Sequence, residues 1–234
     1  MRIYQLILSI IIPISLSYSQ VPTSPRSLDA IKRNIPILEQ KLGQKELGLG
    51  SPIFIRIFKE ENELELWIKK DGIFSLFKTY EICYYSGELG PKTQQGDNQS
   101  PEGFYYVNSG RMNPWSNFHL SMNLGYPNRY DRSKGYTGDY LMVHGDCVSI
   151  GCYAMTNEGI EEIYTLASKA LNSGQAFFRV HIFPFRMTRQ KLEQYTESVW
   201  HSFWENLKTG YDWFEINKSP PNTEVIGGKY VFND

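Results

Sequence analysis

Apolar and polar side chains alternate along much of the chain from Pro52 onward, which is the period of a β-strand whose two faces differ. Ile53, Ile55 and Ile57 form the first alternating run, and a second run follows the polar position Asn62. The predicted strands are residues 53–57, 64–68, 73–85, 104–107, 140–143 and 176–183. The pattern therefore predicts several strands in this part of the chain.

Helical periodicity is confined to the segments that flank these strands. Thr156 or Asn157 is a predicted helix cap, and Asn172-Ser173-Gly174 is a predicted stop. The apolar face between them consists of Ile160, Ile163, Tyr164, Ala167 and Leu171. A second helix is predicted over residues 188–208, with a stripe that we expect to pack on the preceding domain: Trp200, Phe203, Trp204 and Leu207. Residues 20–50 are predicted to be a linker or to hold a short helix around residues 31–42.

Two long segments between the predicted strands show neither period. Residues 86–103 are rich in Gly, Pro, Asn and Ser, and residues 108–138 carry turn signals such as Asn113-Pro114. Loops of this length in a compact domain are usually functional. Residues 108–138, with Trp115, Tyr126 and Tyr130, are therefore expected either to form a wall of a substrate site or to use these aromatic side chains for packing. The tail over residues 211–234 has a turn signal at Gly227-Gly228 and says little about function.

The balance of charge excludes one class of partner. The chain has 234 residues, enough for one sizeable domain that buries a core without disulfides or metals. Its 24 Lys and Arg are matched by 25 Asp and Glu, and no basic stripe appears. Nucleic acid is therefore not expected as a partner.

The first 19 residues have the layout of a secretory signal peptide. Arg2 is the positive charge, residues 6–16 are apolar, and Ser17-Tyr18-Ser19 fits a small-x-small cleavage site. The apolar stretch is too short to span a bilayer and contains Pro13. A buried N-terminal strand or a short membrane anchor is the alternative. The sequence predicts an exported protein, in which three cysteines leave at least one thiol unpaired.

The candidate chemistry lies in HGDCVSIGCYAM, residues 144–155. A predicted strand ends at His144, and Cys152 lies just before a predicted helix. A cysteine near a helix N-terminus gains thiolate stability, and a nearby imidazole can take its proton and return it to a leaving amine. Free backbone amides there could hold an oxyanion, and Gly151 permits a close backbone approach.

Two other readings of the same residues compete with catalysis. His144, Cys147 and Cys152 could bind zinc, although their spacing fits no common zinc module and no fourth ligand is evident. Cys152 could instead be a small buried residue, with His144 bonded to a backbone carbonyl. The remaining histidines are predicted to be structural: His119, His181 and His201.

The 144–155 stretch resembles the active-site signature of the L,D-transpeptidase (YkuD-type) family, a strand ending in His-Gly, a variable gap and then Ser-His-Gly-Cys. The chain is most similar in appearance to the subgroup that releases Braun-type lipoprotein from peptidoglycan. The likeness covers most of the chain from Ser51 onward. It includes SPIFIRIFKEE (51–61), YSGELGPKTQQGDNQSPEGFY (85–105), YLMVHGDCVSIGCYAMTNEGIEEIY (140–164) and FPFRMT (183–188).

The resemblance implies an α+β fold, a β-sandwich or barrel catalytic domain over residues 51–183 with a helical C-terminal extension over residues 184–234. It implies Cys152 as nucleophile and His144 as proton donor and acceptor, with no cofactor and no metal. It also implies that a supporting or oxyanion region surrounds the nucleophile, with Ser149, Gly151 and Gly145 as its residues.

The implied reaction takes place in the periplasm, on peptidoglycan stem peptides and covalently bound lipoprotein. The thiolate would attack the L-centre carbonyl of diaminopimelate, and a lipoprotein lysine would leave before water enters. The alternatives are L,D-transpeptidation or L,D-carboxypeptidase trimming of tetrapeptide stems, and a non-catalytic peptidoglycan-binding module. A papain-like hydrolase is disfavoured, because there the cysteine precedes its histidine. The oligomeric state is not indicated.

The sequence departs from the broad family pattern near the nucleophile. The gap is short, Ile150 stands where many members have a second histidine, and Ala154 stands where many have an arginine. Loss of that guanidinium is expected to change how a substrate carboxylate is held. Cys83 and Cys147 either form a disulfide or remain free.

Overall fold

The computed structural model describes residues 20–233, so the predicted signal peptide over residues 1–19 lies outside the described residues. The strands are β1 Ile53–Phe58, β2 Glu63–Lys70, β3 Ile73–Glu81, β4 Tyr84–Tyr85, β5 Gly103–Asn108, β6 Met112–Asn113, β7 Ser121–Asn123, β8 Met142–His144, β9 Tyr153–Ala154, β10 Phe177–Phe183, β11 Asn222–Ile226 and β12 Lys229–Asn233. The helices are α1 Pro25–Gly43, α2 Arg129–Ser133, α3 Asn157–Asn172, α4 Arg189–Glu193 and α5 His201–Asn217. The expected α+β class is confirmed.

Two five-stranded sheets and a C-terminal hairpin make up the β structure. The first sheet has the order β3-β2-β1-β10-β5, and only its β1–β10 pair is parallel. The second sheet has the order β4-β9-β8-β7-β6, with β8 and β9 parallel. Strands β11 and β12 form the hairpin.

The main core lies between the two sheets and is completed by α1 and α3. Alternation along β10 sends Phe178, Val180 and Ile182 into this core, and Val143 and Tyr153 enter it from the second sheet. Helix α3 begins where predicted, because the Thr156 side chain accepts a hydrogen bond from the Gly159 N–H. Helix α1 runs further than the predicted residues 31–42 and accommodates Pro36 within it.

A second core covers the other face of the first sheet. Phe58, Phe104 and Phe183 on that face pack against Trp204 of α5 and Tyr230 of the hairpin. The predicted turn at Gly227-Gly228 is confirmed, since both residues have the positive φ that a two-residue hairpin turn needs, 59° and 70°.

The continuous helix predicted over residues 188–208 is wrong. The structure has α4 and α5 separated by turns, because Ser198 Oγ accepts a hydrogen bond from Trp200 N and so competes with helical pairing. Part of the predicted stripe is nevertheless buried: Phe203, Trp204 and Leu207.

The single strand predicted over residues 73–85 is also divided. Strand β3 ends at Glu81, and the chain then changes sheets, because Cys83 N donates to the carbonyl of Ala154 in β9 at 2.9 Å. The change places β4 beside the strand that follows Cys152. Within residues 20–233, no helix is both long enough and apolar enough to cross a bilayer.

Candidate active site

His144 is the last residue of β8, and its ring is held in one orientation. Its Nδ1 lies 2.6 Å from the carbonyl oxygen of Gly145. A carbonyl can only accept, so Nδ1 carries the proton and the neutral ring keeps its free lone pair on Nε2. The ring of Phe118 packs against the imidazole with 4.7 Å between centroids.

Burial determines the charge state of this histidine. His144 is only 1% exposed, and desolvation lowers its pKa, opposed by the Gly145 hydrogen bond and the charge of Asp146. The imidazole is therefore neutral near pH 7 and able to act as a base.

Cys152 immediately precedes β9 and is half-buried. Strand β8 is parallel to β9, with His144 opposite Ala154, and Val143 and Tyr153 point into the core. Alternation then places Cys152 on the same face as His144, away from that core. With a rise of about 3.3 Å per residue and strands about 4.8 Å apart, their Cα atoms lie about 8 Å from each other. The structure thus brings the two predicted residues to one face of one sheet.

The Cys152 sulfur contacts an unusual piece of backbone. Sγ lies 3.7 Å from the carbonyl oxygen of Tyr140, to which the thiol donates. Tyr140 has φ 53°, a left-handed conformation that non-glycine residues rarely adopt and that accumulates at functional sites. The Tyr140 side chain is 71% exposed, so packing of its ring does not account for the left-handed backbone conformation.

The expected helix effect on Cys152 is wrong. Helix α3 begins at Asn157 with Thr156 as its cap, and β9 separates this end from the cysteine. Burial raises the pKa of the thiol, only partly offset by a hydrogen bond from the Met142 backbone and by the charge of Lys92. The free protein therefore holds a neutral thiol and a neutral imidazole on the same face of the sheet.

Ser149 organises the turn that carries Cys152. Its Oγ accepts hydrogen bonds from Gly151 N at 3.1 Å and Cys152 N at 2.8 Å, and donates to the Cys152 carbonyl at 2.8 Å. The expectation of free amides here is wrong, since both have this acceptor. The amide of Gly145 is also occupied, by the carbonyls of Phe118 and Leu120. Gly151 has φ 140°, a region that favours glycine.

Two serines at the ends of the loop over residues 86–103 form hydrogen bonds to the same turn. Ser86 Oγ donates to Ser149 Oγ, and Ser100 Oγ donates to the Cys152 carbonyl, each at 3.0 Å. Beneath this loop the ammonium of Lys59 lies 3.1 Å from Glu102, and both side chains are fully buried. Sequence reasoning missed this pair, because no pattern separates these two residues from exposed charges of the same type.

A disulfide joins Cys83 to Cys147, with Cα atoms 5.2 Å apart, and leaves Cys152 as the free cysteine of the described residues. The alternative with zinc bound to His144, Cys147 and Cys152 is excluded, because the Cys147 sulfur is already bonded. Among the other histidines, His119 Nε2 lies 2.8 Å from Glu161 Oε1, which fits a structural role.

The L,D-transpeptidase catalytic domain (YkuD) matches residues 53–182 of this chain. YafK of Escherichia coli strain K12, whose name assigns it only provisionally to the L,D-transpeptidases, is 51% identical over 187 residues, which are 80% of this chain and 76% of YafK. Among solved structures, the helical cell shape determining protein Pgp2 from Campylobacter jejuni is similar over 80% of each chain, with 17% identity and a TM-score of 0.46. Bd1075 of Bdellovibrio bacteriovorus is similar over 76% of this chain and 78% of its own, with 19% identity and a TM-score of 0.41.

The two structural similarities are too distant to bear on function, whereas the domain match and the identity to YafK are extensive. The domain match spans both strands of the candidate site and the loop between them. Enzymes of this family have a cysteine nucleophile and act on peptidoglycan stem peptides. This chain belongs to the L,D-transpeptidase (YkuD) catalytic-domain family.

Proposed function

We propose that this protein is a cysteine hydrolase that detaches covalently bound lipoprotein from peptidoglycan. It would cleave the amide between the L-centre carbonyl of stem-peptide diaminopimelate and a lysine of the lipoprotein. The family supplies the stem peptide as substrate. The choice of the lysine side as leaving group rests on the sequence likeness over residues 51–188 described above, and on the absence of an arginine at position 154.

The first half-reaction forms an acyl-enzyme. His144 Nε2 takes the proton of the Cys152 thiol as sulfur attacks the carbonyl carbon, and a carbon–sulfur bond forms. The carbon–nitrogen bond then breaks, and the imidazolium returns its proton to the departing lysine amine. In the second half, water attacks the thioester while His144 takes one of its protons. The carboxyl group is released, and that proton restores the thiol.

The observation that carries this proposal is the hydrogen bond from His144 Nδ1 to the Gly145 carbonyl. It directs the basic nitrogen of a neutral, buried imidazole away from the backbone, on the face of the sheet that also holds Cys152. A thiol whose pKa is raised by burial needs such a base.

Ser149, Gly151 and Gly145 are proposed to shape the site around the developing oxyanion. The amides of Gly151 and Cys152 are bonded to Ser149 Oγ. They would contact an oxyanion only if that hydroxyl turns away during attack, and until then the hydroxyl would hold Cys152 in position.

The identity of the leaving group decides between the proposal and its nearest alternative. If terminal D-alanine leaves and an amine enters, the same acyl-enzyme gives L,D-transpeptidation. If D-alanine leaves and water enters, it gives L,D-carboxypeptidase trimming. Residues Cys152 and His144 have the same roles in all three reactions.

The test is incubation of wild-type protein and Cys152→Ala with sacculi that carry covalently bound lipoprotein, followed by mass spectrometry of the soluble fraction. We expect lipoprotein to be released by the wild type alone. Exchange of terminal D-alanine for another amine, or new diaminopimelate–diaminopimelate cross-links, without release would replace the proposal with transpeptidation. Equal binding of both proteins to sacculi without any turnover would indicate a non-catalytic binding module.

We further propose export to the periplasm, with removal of residues 1–19 as a signal peptide. The test is the N-terminus of the protein recovered from the periplasm. We expect Gln20 as its first residue, and recovery of the full chain in the cytosol would overturn the proposal.

A further inference from the structure

A cavity of about 340 Å³ lies on the outer face of the first sheet, between β5, β10, α2 and the C-terminal hairpin. Four arginines line it: Arg111, Arg129, Arg132 and Arg179. The other described residues of its lining are neutral or aromatic, with no Asp or Glu among them. In a chain with a net charge of −1, such a concentration of positive charge indicates an anionic ligand.

Three of these four arginines are oriented by hydrogen bonds to neutral groups. Arg111 Nη1 donates to the Tyr106 carbonyl at 2.6 Å, Arg132 donates to the Pro127 carbonyl, and Arg179 donates to Asn222 Oδ1 at 2.5 Å. All three acceptors are neutral. None of the four guanidinium groups forms an ion pair with a carboxylate in the described part of the chain. Each oriented guanidinium keeps further N–H donors for a ligand.

The wall of the cavity also contains a buried polar group without a partner. His181 is 1% exposed, and neither ring nitrogen is hydrogen-bonded to a described residue. Its ring lies between Phe54 and Phe104, with centroids 4.7 and 4.6 Å away. Buried polar atoms nearly always have a partner, so this imidazole is a second and independent indication of a polar ligand.

The cavity continues toward the nucleophile. A second cavity, of about 370 Å³, shares Arg111, Gly125 and Arg132 with the first and extends to Tyr140. The Tyr140 carbonyl accepts the Cys152 thiol at 3.7 Å. The two adjoining cavities form a groove whose lining runs from Tyr140, the residue that contacts the Cys152 sulfur, past Arg111 and Arg132 to His181. Asp139, next to Tyr140, is a carboxylate of that lining.

We propose that this arginine groove, defined by Arg111, Arg129, Arg132, Arg179 and His181, binds the free carboxylates of the stem peptide whose carbonyl reacts with Cys152. The inference rests on the proposed function for the identity of the peptide. It supplies a carboxylate site in a chain where Ala154 lacks the guanidinium found beside the nucleophile in many relatives. Guanidinium groups bind carboxylates in bidentate fashion, so the groove would fix the register of the peptide against the sulfur.

The test measures the affinity of the Cys152→Ala protein for a soluble tetrapeptide stem, with the carboxylates free or amidated. In this background we expect Arg132→Gln and Arg179→Gln each to raise the Kd about tenfold, the loss of one charge-assisted contact. His181→Phe keeps the aromatic packing and should weaken binding less. Arg189→Gln is the control, because Arg189 lies outside the groove and forms an exposed ion pair with Glu193. Thermal melting confirms that each variant folds.

Amidated peptide should bind weakly to every variant, and the arginine substitutions should then have little further effect. An unchanged Kd in both groove variants, or no binding of the free-acid peptide at all, would overturn the groove. Release of lipoprotein by the wild type is scored separately on sacculi. If lipoprotein is released but the Kd values are unchanged, the groove proposal fails and the proposed function stands. If binding depends on the arginines but neither release nor exchange occurs, the groove proposal stands and the proposed function fails.

Discussion

Ser149 holds the backbone of Cys152 on both sides, accepting from its N–H and donating to its carbonyl, each at 2.8 Å. One hydroxyl thus fixes the peptide units before and after Cys152. Its position in the turn was visible in the sequence, but its role as the organiser of the turn was not.

Replacing Ser149 by Ala is expected to lower kcat by at least about tenfold, while the free energy of unfolding falls by only about 1–2 kcal/mol. The amides of Gly151 and Cys152 lose their acceptor, so the sulfur is no longer held in one position. Release of lipoprotein and urea denaturation measure the two effects. Ser133→Ala, which removes a hydroxyl bonded to the Tyr130 carbonyl on α2, is the matched control. Full activity in Ser149→Ala would show that the turn keeps its conformation without the Ser149 hydroxyl.

The rate at which iodoacetamide alkylates Cys152 is expected to keep rising with pH beyond pH 9.0, which is the ordinary pKa of a cysteine. Burial raises the pKa of this thiol, and a neutral His144 supplies no imidazolium to lower it. The reagent should label Cys152 alone, because Cys83 and Cys147 are joined in a disulfide. Measuring the rate from pH 5 to 10 tests this directly.

His144→Gln provides the control for that experiment. Turnover should disappear, because the general base is gone, whereas the pH profile of alkylation should hardly move. A rate that is already high and independent of pH near 6 in the wild type, and lost in His144→Gln, would instead reveal a thiolate–imidazolium pair.

Replacing Lys59 by Met is expected to cost about 3–5 kcal/mol of unfolding free energy, because the buried carboxylate of Glu102 is left without its counter-charge. Adding Glu102→Gln should restore part of this loss, since the amide oxygen can still accept from Trp204 Nε1. Urea denaturation measures both. Lys70→Met is the matched control: its pair with Glu46 is exposed, so we expect little change. Additive effects of the two buried substitutions would contradict a coupled pair.

Asp131 is expected to make the protein less stable as pH rises from about 4 to about 7. Burial raises its pKa to about 6 from an ordinary 3.8, so the folded state binds the proton more tightly than the unfolded state. The resulting stabilisation is complete below pH 4 and lost as pH passes 6, amounting to about 3 kcal/mol. Asp131→Asn should remove this component, because its amide oxygen still accepts from Tyr105 and Asn128.

The comparison of unfolding free energies between wild type and Asp131→Asn at pH 4, 5, 6 and 7 isolates the Asp131 contribution from that of other carboxylates. The unfolding free energy of the variant, relative to that of the wild type, should increase steadily from pH 4 to pH 7. Parallel curves would mean that Asp131 is ionised in the folded protein at all these values.

Sequence patterns correctly predicted the elements that depend on neighbouring residues, namely a strand, a helix cap and a turn. The alternation of Ile53, Ile55 and Ile57, the cap at Thr156 and the glycine turn near residue 227 all appear where expected. The break between α4 and α5 was missed, because it depends on one serine side chain rather than on hydrophobic spacing.

The catalytic roles in the candidate site remain predictions, whereas the positions of its residues can be compared with the sequence pattern. His144 and Cys152 were found through the motif, and strand pairing brings them to one face. The distance of Cys152 from helix α3 was missed, because two-residue strands such as β9 have too few positions to show a period. The arginine groove was also missed, since Arg111, Arg132 and Arg179 come together only through tertiary contacts.

The pairing of Cys83 with Cys147 has a consequence for how the protein matures. Three cysteines allow three single pairings, and two of these would use Cys152. In the oxidising periplasm to which we propose the protein is exported, closure of either wrong pair would consume the proposed nucleophile even in a chain that otherwise folds correctly. Under the proposed function, the fraction of active molecules would therefore measure how accurately the disulfide forms, because only the Cys83–Cys147 pairing leaves Cys152 as a free thiol.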